Sequence, residues 1–203
     1  MTPRIVDPER AAARRAEILE AAAIEFATRG FDGTRVTDVA RRAGLASGTV
    51  FYHFADKAGL FRALFAADGP RNVELADQAR LIEDPLEAVL HLVDGLAAES
   101  VKPEAALFVV ELVRRVTVDP QLAAIVEETS AVSLSALAEI LARGVATGRF
   151  DTTLDPATTA AMVSSMVDGL YLNAEPGRDH RGQLKRAVAA YLRSPDITEI
   201  HDA

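Results

Sequence analysis

The chain has 203 residues, 49% hydrophobic and 26% charged, a composition that builds a packed core and excludes a disordered polypeptide. It contains no cysteine, which excludes a disulfide framework, a thiolate metal site and a thiol nucleophile. The formal net charge of −8 argues against a nucleic-acid partner only until its distribution is read: residues 1–66 hold ten Lys/Arg against eight Asp/Glu, the remainder twelve against twenty-two.

A mildly basic head on an acidic body implies two modules, residues 1–66 and 67–203, with different partners. The opening "MTPRIVDPERAAARR" lacks the apolar core of a secretion signal, and no stretch approaches the ~20 apolar residues of a membrane span. A cytoplasmic protein with no membrane partner is expected.

In chain order, Asp-Pro pairs mark helix starts. Asp7-Pro8, Asp84-Pro85, Asp119-Pro120 and Asp155-Pro156 each precede an Ala- and Leu-rich segment. Aspartate accepts from the free N–H groups of a first turn, and proline there loses no hydrogen bond. The first helix runs from Asp7 to about Arg29, with Ile18, Ala22 and Phe26 on one face and Gly30 as its left-handed stop. Thr34 caps a second helix to Ala43, with Val36, Val39, Ala40 and Ala43 inward. Gly44 turns the chain, and Ser47 caps a third. Asp56 caps a fourth, whose stripe of Leu60, Phe61, Leu64 and Phe65 stops near Asp68-Gly69-Pro70. Further helices are predicted at 85–100, 103–117, 120–147, 156–174 and 180–193. No segment alternates with period two, so the fold class is all-α.

The short pair 34–43 and 47–53, joined at Gly44, has the form of a helix-turn-helix. Its second helix enters the major groove by its N-terminal end, where Ser47, Gly48 and Thr49 are small enough to approach bases and phosphates. The run Phe51-Tyr52-His53-Phe54 then divides: Val50 and Phe54, four apart, share the inward face, and Tyr52 and His53 fall on the other. Lys57 stands where the amides of the next helix end also point, an arrangement suited to phosphate. Arg4, Arg10, Arg14 and Arg15 are either an arm reaching DNA or a solvated face.

The tract "RAEILEAAAIEFATRGFDGTRVTDVARRAGLASGTVFYHFADKAGLFRALF" at 15–65 resembles the TetR/AcrR family of bacterial transcriptional regulators. The resemblance is carried by Phe26 followed by Gly30-Phe31, Thr34, "DVA" at 38–40, "AGL" at 43–45, "GTV" at 48–50, His53-Phe54 and Lys57. It implies an all-helical homodimer with a three-helix DNA-binding head and a C-terminal domain for dimerisation and a small effector. Carried over by position, Thr37, Ser47, Gly48, Thr49, Tyr52 and His53 face a palindromic operator, with Lys57 on phosphate. Phe51 departs from the tyrosine usual in the family and brings no hydroxyl to a phosphate, so Tyr52 and His53 supply that contact or it is absent.

In the body, "PEAALFVVELVRR" is apolar on nearly all sides, which predicts a central helix. By the resemblance it walls an effector cavity, for which His91, Phe108, Glu111, Met162, Met166 and Tyr171 are candidates. The alternative reading makes His91 a satisfied core histidine and the methionines core filling. Ala161, Ser165 and Gly169, four apart, suit either a dimer contact or packing within the chain.

No Glu-x-x-His pair, His-Glu-x-x-His, phosphate-binding glycine loop or nucleophile elbow is present, so an enzyme is not expected, nor a metal or cofactor. A helical adaptor would need neither the tight "AGLASGT" corner nor the basic head. The reading is a DNA-binding transcriptional regulator, a repressor released by a small molecule; a ligand-independent regulator or an activator of the same fold is the alternative.

Overall fold

The computed structural model describes residues 8–193; Arg4 and Asp7, with their expected arm and capping roles, lie outside them. The described residues contain ten α-helices and no strand: α1 Pro8–Gly33, α2 Val36–Arg42, α3 Ser47–His53, α4 Lys57–Ala66, α5 Asp68–Leu81, α6 Pro85–Leu96, α7 Ala105–Val116, α8 Pro120–Ala146, α9 Pro156–Leu172 and α10 Arg181–Leu192, with a 3₁₀ turn at Ala98–Val101. They form two compact units. One takes the residues up to Ala67 together with Leu107–Ile125; the other takes Asp68–Ala106 with the chain from Val126 onward.

The capping logic of the Asp-Pro pairs holds wherever it can be seen. Asp84 Oδ1 accepts from Leu86 N and Glu87 N at 2.8 and 3.0 Å, Asp119 Oδ1 from Leu122 N at 3.1 Å, and Asp155 Oδ1 from Thr158 N at 2.8 Å. Asp56 does the same for α4 through Gly59 N. Two expected caps do not form. The residue before α2 is Arg35, and the Thr34 hydroxyl turns back to donate to Gly30 O at 2.8 Å and Glu25 O at 3.0 Å. Ala46, not Ser47, precedes α3, and no side chain caps it.

One helix was not anticipated. Asp68-Gly69-Pro70, read as a stop, opens α5. Pro70 falls in the first turn, where backbone N–H groups have no helical acceptor, so its missing donor costs nothing.

The first unit is filled by rings. Phe26 and Phe31 stack with centroids 5.7 Å apart, Phe61 meets Phe26 edge-on at 5.0 Å, and Phe65 contacts Phe61 at 5.3 Å. Phe108 of α7 stacks on Phe65 at 5.0 Å and 9°. Buried Ile18, Val39, Val50, Leu60 and Leu122 complete this core. Aromatic pairs at such distances add stability beyond the area they bury.

The second unit buries Leu86, Val89, Leu92 and Val93 of α6 against Leu137, Ile140 and Leu141 of α8, Val163 and Val167 of α9, and Leu184, Val188 and Leu192 of α10. A Cβ on Gly144 would lie 2.0 Å from the Phe150 ring, so that ring can pack only on a bare backbone.

α7 is not the central helix its composition predicted. Leu107, Val110 and Val113 are exposed, while Ala105 and Glu111 are buried and Phe108, Leu112 and Arg115 half-buried. Uniform apolarity hid which face is covered.

Candidate nucleic-acid interface

The helix-turn-helix is pinned from inside. Val50 is wholly buried and Phe54 nearly so, while Arg15 of α1 lies 5.1 Å from the centre of the Phe54 ring. These contacts seat α3 on α1 and leave its other side free. There Tyr52 is 73% exposed and Phe51 50% exposed, and the rings of Tyr52 and half-buried His53 meet edge-on at 5.2 Å. A Cβ on Gly48 would meet nothing, so its surface is open to an incoming ligand. Thr37 is exposed at the first turn of α2, with Ser47 and Thr49 half-buried at the start of α3.

The pair of helices is also held by charge. Buried Glu25 of α1 accepts from Arg42 Nε of α2 at 2.7 Å and pairs with Arg29 at 2.9 Å. Asp38 of α2 pairs with Arg41 and, at 3.5 Å, with Arg29. An ion pair that bridges two helices restrains their crossing, which is what a rigid reading element needs. Of the arginines on α1, Arg14 pairs with Glu17 at 2.7 Å and Arg15 is engaged with Phe54, leaving Arg10 exposed near the start of the helix.

Lys57 is placed differently from the expectation of a free phosphate ligand. Its ammonium donates to Phe31 O at 2.8 Å and Asp32 O at 3.4 Å and lies 4.5 Å from the Phe31 ring centre. Of the first amides of α4, that of Gly59 is taken by Asp56 Oδ1 at 2.6 Å and that of Leu60 by the Asp56 carbonyl at 3.0 Å.

The six effector candidates are divided between the two units. Phe108 and Glu111 belong to the first unit: Phe108 joins its ring cluster, and Glu111 accepts from Phe31 N at 2.8 Å and from Arg114 at 2.9 Å. His91 is exposed on α6, beside the buried Leu92 and Val93, and so is not a core histidine. Met162 is 47% exposed on α9. Met166 and Tyr171 alone pack against the core of the second unit, where the Tyr171 hydroxyl donates to Leu96 O at 2.8 Å. Burial pushes that phenol up to about 12. Ala161 and Ser165 are exposed and Gly169 is open beside its Cα, so at these positions α9 is left uncovered by the described residues.

The profile "Bacterial regulatory proteins, tetR family" matches residues 18–64, and "BetI-type transcriptional repressor, C-terminal" matches residues 82–195. The chain belongs to the TetR family. Its members are bacterial regulatory proteins, and the profile spans the helix-turn-helix of this chain. The transcriptional repressor AcnR of Corynebacterium efficiens is 26% identical over 90% of this chain and 94% of its own length. The fatty acid degradation regulator FadR of Bacillus halodurans superposes with a TM-score of 0.76 at 22% identity, over 90% of this chain and 97% of its own. AibR, solved in complex with isovaleryl coenzyme A and operator DNA, gives 0.72 at 20% identity over 90% of this chain and all of its own. No helix of the described residues is long and apolar enough to cross a membrane, and none of their His, Asp and Glu side chains group as a metal site.

The contact that sequence reading missed is Glu111 on Phe31. Its signal was present: a helix that breaks at Gly30 leaves the next N–H without a helical acceptor, and a buried N–H must find another.

Proposed function

We propose that this TetR-family chain is a homodimeric repressor that grips a palindromic operator through α3 and releases it when a small molecule occupies the second unit. The observation that carries the reading is the two-sided α3, held inward by Val50 and Phe54 and presenting Tyr52 and Phe51 outward. Rings so exposed gain nothing in a free protein; against DNA they stack on sugar or meet thymine methyls, and Tyr52 adds a hydroxyl. Thr37 and Gly48, exposed, and Ser47, Thr49 and His53, half-buried, are the further candidates in the same pair of helices. Lys57 retains a role, because an ammonium has three donors and the Phe31 and Asp32 carbonyls take two, leaving one for a phosphate.

The relation to AibR, whose structure holds an acyl-coenzyme A and DNA together, supports a small-molecule signal. In this chain Met166 and Tyr171 are the candidates on the effector side. Release follows by population shift: the ligand stabilises the dimer geometry in which the two α3 helices no longer match successive major grooves. The small-residue face of α9, exposed at Ala161 and Ser165, supports α9 as the dimer contact.

The test is to select DNA bound by the full chain from a random pool and then measure variants on the selected site. Tyr52→Ala and Thr49→Ala should each lose about 1–3 kcal/mol of discrimination between that site and a scrambled one, with unfolding unchanged. Binding of both variants at parental strength would remove α3 as the reading element.

A further inference from the structure

Three elements meet on one residue at the break in α1. Gly30 has φ 70° and ψ 169°, which takes Phe31 out of the helical ladder. The Phe31 N–H donates to Glu111 Oε2 of α7 at 2.8 Å. Its carbonyl accepts from Lys57, the first residue of α4, at 2.8 Å and from the Thr34 N–H at 3.3 Å. Its ring packs in the core against Phe26 and Phe61 and receives the Arg115 guanidinium at 4.1 Å and the Lys57 ammonium at 4.5 Å. Thr34 holds the preceding carbonyl, that of Gly30.

We propose that Glu111 is a positioning residue for operator binding: it holds the N–H of Phe31, and the residue so fixed presents the carbonyl that aims the Lys57 ammonium at a DNA phosphate. The inference rests on the reading of this chain as a DNA-binding protein. A peptide is planar, so an acceptor that holds the N–H of Phe31 constrains the peptide on that side of the residue, and the locked ring transmits the constraint to the carbonyl on the other. Glu111 is 7% exposed and is committed to this contact, whereas its second partner, Arg114, has a side chain 71% exposed and free to swing away. The carboxylate therefore serves the peptide first. α7 also begins at Ala105, in the second unit, so the residue that sets Lys57 lies on a helix belonging to both units.

The experiment compares Glu111→Ala, Glu111→Gln, Lys57→Ala and the double variant Glu111→Ala/Lys57→Ala in the full chain, on DNA selected by the parent. Glutamine keeps an oxygen acceptor for the Phe31 N–H, so Glu111→Gln should bind as the parent does. Glu111→Ala should weaken binding about tenfold, the loss of one hydrogen bond to a charged group. It should also reduce the slope of log K against log salt by roughly one unit, as Lys57→Ala does. The double variant should be no weaker than Lys57→Ala alone, because both changes remove the same phosphate contact. Additive losses, or an unchanged salt slope in Glu111→Ala, would overturn the proposal.

A second readout needs no DNA. Trace acylation of lysines, read by mass spectrometry, should show Lys57 reacting several-fold faster in Glu111→Ala and at the parental rate in Glu111→Gln. Equal Lys57 reactivity in parent and Glu111→Ala overturns the coupling whatever DNA does. If the parent selects no DNA yet the acylation pattern holds, the functional reading fails while the positioning of Lys57 by Glu111 stands.

Discussion

Thr34 and Gly30 show how much a single side chain or its absence decides in the head. Thr34 is 1% exposed, and its hydroxyl serves two α1 carbonyls at once. Thr34→Val keeps the shape and strands both acceptors, so chemical denaturation should show a loss of about 1–2 kcal/mol. The sequence placed Thr34 correctly at the junction but as a cap for the helix after it, since spacing marks a helix start and carries no sign of which way a hydroxyl turns. Gly30 is a sharper case. Its φ and ψ lie in a region only glycine adopts freely, and a Cβ there would also approach Glu111 Oε1 at 3.4 Å. Gly30→Ala should cost about 1–3 kcal/mol in the same measurement, and parental stability would show that the break at Gly30 is not needed. The inward positions of Val50 and Phe54 were legible from their spacing of four; the destination of Lys57 was not, because its partner is a backbone carbonyl 26 residues earlier.

At the scale of elements, the Asp-Pro starts were the most readable feature, and they carry a pH dependence. The Thr158 hydroxyl and N–H hold the Asp155 carboxyl below its ordinary 3.8, and Arg149, with the N–H groups of Glu87 and Leu86, does the same for Asp84. A carboxylate lowered in the folded state stabilises it fully above the unfolded value and loses that contribution as pH falls through the folded one. Unfolding midpoints should therefore decline below about pH 4. Asp155→Asn and Asp84→Asn keep a capping oxygen but cannot titrate, and the acid decline should be shallower in both. An identical acid limb in the variants would assign the decline to other carboxyls. The element that escaped the sequence, α5, has a weak signal for a physical reason. Its buried residues are Ala76 and Ala79, too small to mark a stripe, and it opens with the Gly-Pro pair that elsewhere ends helices.

For the molecule as a whole, the uneven charge has a measurable consequence. Ten basic against eight acidic residues over 1–66 attract a polyanion only locally, while the acidic remainder repels it. Non-specific DNA binding should thus vanish at lower salt than site-specific binding, and titrations at two ionic strengths will show it. The exposed Ala161–Ser165 face bears on assembly. Ala161→Arg should convert a dimer to monomers in sedimentation, with helicity intact, and weaken operator binding by removing the second half-site. A dimer that persists in this variant would move the contact elsewhere.

The ring ladder of the first unit ends on Phe108, forty-three positions beyond the Phe65 it stacks on, and the same stretch supplies Glu111, Arg115 and Leu122. The reading head is therefore not a cassette that a single crossover near residue 66 could transplant between relatives. Such a chimera would carry Phe61 and Phe65 without the ring that covers them and Phe31 without its acceptor. Heads and bodies of this kind can be exchanged only by recombination at three points, and the residues of Leu107–Ile125 should travel with the operator specificity, not with the effector.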